Sequence, residues 1–182
     1  MKGRISWDGK YSGIVVDWSK LVDNPLNNGY YVEAFSSADA IIDSQIESML
    51  RQIFNSFESQ SLINELESTR EESKFFGSGM LKILKNINVI GGKLYSKVLD
   101  FKRNRNKVSH NMYGEYSLVR LLDYPNQSEL DQAVEDSAKK ILGSALDIFS
   151  ELVDINKGLS DEFKNMNPSD KVNWLIKKRQ NE

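Results

Sequence analysis

The sequence predicts an all-α fold: an antiparallel up-down bundle of four to five helices behind a short N-terminal arm that is extended or β. Three observations predict it. After residue 30 the apolar residues recur three and four positions apart, the period of an amphipathic helix. Those periodic segments are divided by short connections rich in Gly, Pro and Asn, which favour antiparallel neighbours. The start of the chain breaks the pattern: "ISWDGKYSGIVVDW" is aromatic, β-branched and punctuated by glycine, as a strand, hairpin or extended arm would be. The expected organisation is an arm over 1–30 and a bundle over 31–182 that closes on a short C-terminal helix.

The arm runs into "DNPLNNG" (23–29), whose turn residues predict a loop. Ser36 or Ser37 can cap a first helix reaching about Phe57. Ala38, Ile42, Met49, Ile53 and Phe57 fall on one side of it, with Ile46 and Leu50 beside them. "SLINELESTREES" continues at helical spacing through Leu62 and Leu66, with a charged opposite face. In "FFGSGMLKILKNINVIGG" a break is expected at Gly77–Gly79, then a short helix through Leu84 and Ile87, then a stop at Gly91–Gly92. The next helix spans about Lys93 to Tyr113, with Gly114 as its C-terminal cap. "EYSLVRLLDYPNQ" (115–127) connects it to a long helix capped by Ser128. Leu130, Val134, Ile141, Ala145, Ile148 and Leu152 make that helix's face, and Lys157–Gly158 is a fitting end. A last short helix follows Pro168, with Val172, Leu175 and Ile176 as its apolar residues.

Composition narrows the function. A chain of 182 residues can bury a real core without staples. It has no cysteine, which excludes disulfides and thiolate metal sites and fits a reducing, cytoplasmic setting. "MKGRISWDGKYSG" lacks an apolar h-region, so no secretory signal is expected. No apolar run approaches the about 18 residues of a membrane span, so no membrane partner is expected. The net charge of -2 means that any nucleic-acid binding must come from a local patch.

Such a patch exists. "RNRNKVSH" (103–110) is a basic run that holds the single histidine of the chain. Two stripes run along its helix. Leu94, Val98, Phe101, Arg105, Val108 and Met112 form a core stripe interrupted by Arg105. A guanidinium keeps its proton, so on the apolar side it needs a partner or a wet cleft. Tyr95, Leu99, Lys102, Asn106, His110 and Tyr113 form the second stripe, which puts Asn106 and His110 one turn apart on one face. Arg105 and His110 stand roughly 140° apart around an ideal helix, so Arg105 must lean to reach it. The bland alternative is a solvated basic face with a structural histidine.

Arg105-Asn106-x-x-x-His110 resembles the signature of the HEPN superfamily (higher eukaryote and prokaryote nucleotide-binding): an Arg, a polar residue after it, and a closing His on the third long helix of a bundle. "KVLDFKRNRNKVSH" matches its common form, and "FFGSGMLKILKNINVIGG" resembles the short helix before the motif in bacterial members, including those like the mannitol operon repressor. The resemblance covers roughly residues 33–157. It implies a metal-independent endoribonuclease, without cofactor or metal, serving as a toxin or defence effector. The implied partners are RNA, a second copy in a homodimer that completes a composite site, and a cognate antitoxin. Arg105, Asn106 and His110 would be catalytic, and Lys102, Arg103, Lys107 and Tyr113 would contact RNA. The alternative within the family is a non-catalytic regulatory or RNA-binding protein. A third possibility is a scaffold in which the motif is coincidence.

The residue types suit that chemistry. RNA carries its own nucleophile, the 2′-hydroxyl, so cleavage needs a group that handles protons near neutral pH and cationic donors for the phosphoryl oxygens. Histidine is the first, and the guanidinium fork of Arg105 is matched to the second. Asn106 can orient the imidazole or donate to phosphate. One histidine per chain excludes separate acid and base histidines in a monomer. Rival chemistries fit worse. Ser109 projects about 100° away from His110 on a helix, which disfavours a Ser-His-Asp site. Glu71-Glu72 and Asp161-Glu162 are adjacent pairs that diverge on a helix, a poor metal-nuclease pattern, and there is no Gly-rich phosphate loop. Asp39 and Asp43, one turn apart on the first helix, are candidate acidic partners for Arg105.

Overall fold

A computed structural model of the chain describes residues 2–6, 13–55, 76–110, 114–120 and 123–180. The fold is the expected all-α helical bundle. Among the described residues five helices exceed two turns: α1 (Tyr31–Asn55), α2 (Phe76–Asn86), α3 (Gly92–His110), α4 (Gln127–Phe163) and α5 (Pro168–Gln180). The chain falls into two compact units, Met1–Ile41 with Asp100–Asp147, and Ile42–Leu99 with Ile148–Glu182. No helix among the described residues is long and apolar enough to cross a membrane.

In the first unit, the β alternative holds for the arm. Strands β1 (Lys2–Ser6) and β2 (Gly13–Asp17) pair antiparallel, with Lys2 opposite Asp17 and Ser6 opposite Gly13. The stretch expected to be a loop is helical instead: a π-helical turn over Ser19–Asp23 leads into one α turn over Asn24–Asn27. Pro25 does not oppose this, because its missing N–H and fixed φ suit the first turn of a helix. Burial of Val22, Pro25 and Leu26 holds the turn down. Gly29, at φ +76, ends it in a conformation that costs a glycine little. The ladder of α1 then starts at once, the carbonyl of Tyr30 accepting from the N–H of Ala34 at 3.0 Å. Ser36 and Ser37 therefore lie inside α1 and are not its cap. The core of this unit joins Phe35, Ala38 and Ile41 of α1, Phe101 and Val108 of α3, and Val134, Ala138 and Ala145 of α4, all buried. Phe35 and Phe101 lie parallel, centroids 6.1 Å apart.

In the second unit, Gly77 and Gly79 lie within α2 where a break was expected. Each glycine costs a helix about 1 kcal/mol against alanine, but burial of Met80, Leu81 and Leu84 on the same helix outweighs that local preference. The stop also differs from expectation. Asn88, at φ +53, turns the chain, its N–H donating to the carbonyl of Lys85 at 2.9 Å. Its side chain donates to the carbonyl of Lys178 at 2.8 Å. Gly92 is instead the first residue of α3.

α4 runs past Lys157 and Gly158 to Phe163, because Leu159 and Phe163 are buried and extend its apolar face. Val134, Ala145, Ile148 and Leu152 are buried as expected, while Leu130 and Ile141 are half-buried and Ala138, Leu142 and Phe149 complete the face. On α5 the expected apolar pair is exposed, Val172 at 44% and Ile176 at 49%. Trp174 is the anchor: its ring meets Phe163 edge-on at 5.0 Å, and its indole N–H donates to Glu162 at 2.7 Å. Phe57, Leu62, Leu66, Met112, Tyr113 and the side chain of Leu175, all named in the sequence expectations, lie outside the described residues.

Candidate active site

The C-terminal half of α3 belongs to the first unit, together with Asp39 of α1. Phe101 and Val108 anchor this half by facing the core, and their burial fixes how the helix is rotated. The sequence interval then decides the rest. Arg105 comes one turn after Phe101 on the core stripe, Lys102 flanks it on the side facing Asp39, and Asn106 and His110 face outward and are exposed.

Arg105 does not enter a dry core. Its side chain retains 28% exposure, and its Nε lies 3.4 Å from Oδ2 of Asp39, whose side chain is 16% exposed. That approach is an ion pair without hydrogen-bond alignment, since Nε is itself enclosed and has no hydrogen-bond partner among the described residues. The other end of the guanidinium turns back along the helix. Nη1 donates to Oδ1 of Asn106 at 3.2 Å and lies 3.4 Å from Nε2 of His110. The lean that five-residue spacing demands is thus made by the long arginine side chain. All three motif residues meet at one exposed spot.

The contact has a chemical consequence. A guanidinium only donates, so for this contact to be a hydrogen bond Nε2 has to accept, which requires the neutral imidazole with its proton on Nδ1. In that form the lone pair of Nε2 is the one that faces the cation. An anionic oxygen entering the spot would meet the donors of Arg105, the amide of Asn106 and an imidazole able to take or give a proton.

The remaining candidates divide. Lys102 points inward: its Nζ donates to Oδ1 of Asp39 at 2.7 Å, and its side chain is only 16% exposed. Arg103 lies on the outer surface, 72% exposed, and pairs with Asp100 at 2.7 Å, an i,i+3 pair that contributes little at such exposure. Lys107 is exposed. Tyr113 falls outside the described residues. Asp39, one of the two acidic candidates, meets both Lys102 and Arg105, whereas Asp43 belongs to the other unit. Ser109 turns away from the spot that His110 occupies in the sense a helix dictates, its Oγ enclosed and without a hydrogen bond among the described residues. Glu162, half of one adjacent acidic pair, is occupied by the indole of Trp174.

Comparison of the chain with protein-family models, with curated proteins and with solved structures finds no match among any of the three.

Proposed function

We propose that the chain is a metal-independent endoribonuclease of HEPN type, acting as a toxin or defence effector. The observation that carries this reading is the meeting of Arg105, Asn106 and His110. The guanidinium spans the two other motif residues at 3.2 Å and 3.4 Å at the exposed end of a helix, where a spacing of five would otherwise set them apart. A solvated basic face has no need of that convergence.

In this reading the 2′-oxygen of RNA attacks the adjacent phosphorus and gives its proton to an imidazole. The donors of Arg105 and Asn106 hold the phosphoryl oxygens as negative charge grows on them. The 5′-oxygen leaves and must receive a proton, which leaves a 2′,3′-cyclic phosphate. A chain with one histidine supplies one proton-handling ring. The second comes from a second copy across a two-fold axis near α3, since a two-fold interface brings identical patches together. Arg103 and Lys107 add surface charge for flanking phosphates.

A labelled-RNA assay tests the proposal. Wild-type protein is expected to cleave, to keep cleaving in excess chelator because the nucleophile belongs to the RNA, and to leave cyclic phosphate ends. Light scattering at micromolar concentration is expected to show a dimer. Loss of cleavage in chelator overturns the mechanism. Absence of cleavage over varied RNAs, with RNA still retained, identifies a non-catalytic RNA-binding protein instead.

A further inference from the structure

Lys102 was expected on sequence grounds to reach a phosphate, yet it is turned inward onto Asp39. Asp39 faces two cations and serves them unequally. Oδ1 takes a short, charge-assisted hydrogen bond from Lys102 at 2.7 Å. Oδ2 lies 3.4 Å from Nε of Arg105, with no hydrogen bond formed there. A carboxylate beside a guanidinium normally takes it in a paired fork, two parallel N–H···O bonds. Here it does not, and the free end of the guanidinium reaches His110 and Asn106 instead.

We propose that Lys102 is a positioning residue: by engaging one oxygen of Asp39 it prevents that carboxylate from capturing Arg105, and so leaves Nη1 of Arg105 facing Nε2 of His110. The inference deepens the nuclease reading and rests on it for its catalytic part, but its geometric part stands alone. Without Lys102, Asp39 is a half-buried carboxylate with Arg105 beside it, and desolvation drives it to the best remaining donor. The guanidinium then swings onto Asp39 and away from the imidazole. A phosphate ligand would behave differently. Its loss would weaken RNA binding and reduce the salt dependence of binding, without moving Arg105.

The single histidine makes this measurable without any activity, because one imidazole gives one pair of ring-nitrogen signals. In 15N-labelled protein with the ring neutral, wild type is expected in the Nδ1–H form, held there by Arg105. Lys102→Met is expected to shift it toward the Nε2–H form. Asp39→Asn added to Lys102→Met is expected to return it toward wild type, because the competing carboxylate is gone. Lys102→Arg, which keeps a cation for Asp39, is expected to preserve the wild-type form. If Lys102→Met fails to fold, Asp39→Asn alone and Lys102→Arg still decide, since both must retain the Nδ1–H form.

In the RNA assay, Lys102→Met is expected to lower kcat by about 10-fold to 100-fold with KM little changed, the signature of misplacement and not of lost binding. Asp39→Asn is expected to recover part of that loss. An unchanged tautomer in Lys102→Met, or a double variant no different from it, overturns the proposal. So does a raised KM with kcat intact, which returns Lys102 to phosphate binding. If wild type cuts no RNA, the nuclease reading fails while the ring-nitrogen signals still decide the positioning.

Discussion

Two helices of this protein carry basic runs, and they use them differently. α3 carries Lys102, Arg103, Arg105 and Lys107 with His110, and α5 carries Lys177, Lys178 and Arg179. On α5 the two described cations, Lys177 and Lys178, share no partner among the described residues. Lys178 lies over the Trp174 ring, 5.3 Å from its centre, its own carbonyl is taken by Asn88, and Lys177 is exposed. The first contact lies within α5, and the second ties α5 to its own unit. On α3 two of the cations converge: Lys102 and Arg105 share Asp39, and Arg105 continues to Asn106 and His110. Charge density is similar in both runs, so density does not distinguish them. Convergence on a proton-handling group does, and the proposed site rests on it.

The sharpest way to break this contrast is to remove that group. His110→Ala is expected to abolish RNA cleavage, and any growth toxicity, with the helical circular-dichroism spectrum unchanged, because the ring is exposed. Cleavage at the wild-type rate would reduce α3 to a second α5. Arg105→Ala comes next. A donor aimed at developing charge is worth about 10²-fold in kcat, so a loss of that order or more is expected in the same assay. A loss below threefold would mean that the guanidinium serves the ion pair with Asp39 alone.

How much of this was legible in the sequence follows from what each feature depends on. The helices, most of the core stripe and the site helix follow from three-and-four spacing, which is local. Arg105 on the core stripe was legible as an anomaly, and so was its need to lean toward His110. The boundaries were not, because tertiary burial decides them. Gly77, Gly79 and Gly158 each signal an end, yet buried Leu81, Leu84, Leu159 and Phe163 carry the helices through. Ser36 looks like a cap, but the turn at Gly29 had already started α1. The inward direction of Lys102 was hidden for the same reason. It depends on Asp39, which is 63 residues away in sequence. For α5, apolar spacing pointed to Val172 and Ile176, whereas the aromatic Trp174 found a better seat against Phe163.

A third test separates buried polarity that serves structure from polarity that serves the site. In the second unit the side chain of Asn156 accepts from Gln52 and donates to Gln45 and Ser48, the last two at 3.1 Å, and Gln45 is 1% exposed. These are amides and a hydroxyl, all neutral, that tie α4 to α1. Asn156→Ala leaves the Gln45 oxygen buried without its donor, which is expected to lower unfolding free energy by about 1–3 kcal/mol. Urea denaturation reads that loss. RNA cleavage by the folded fraction is expected to stay at the wild-type level, and a matching fall in kcat would show that the network supports the site after all.

The smallest effect belongs to α5 itself. Lys178→Ala removes the ammonium above Trp174 and leaves the edge-on contact with Phe163 and the indole hydrogen bond to Glu162 in place. A cation over an aromatic face at a partly exposed position is worth about 0.5–1 kcal/mol. The expected outcome is therefore a small downward shift of the urea midpoint with kcat and KM unchanged. The carbonyl that Asn88 uses belongs to the main chain, so the substitution does not release that tie. If Lys178→Ala weakened RNA binding as strongly as Lys107→Ala, the α5 run would be part of an RNA-binding surface. Convergence of side chains would then mark where the chemistry occurs, and charge density alone would mark where the RNA lies.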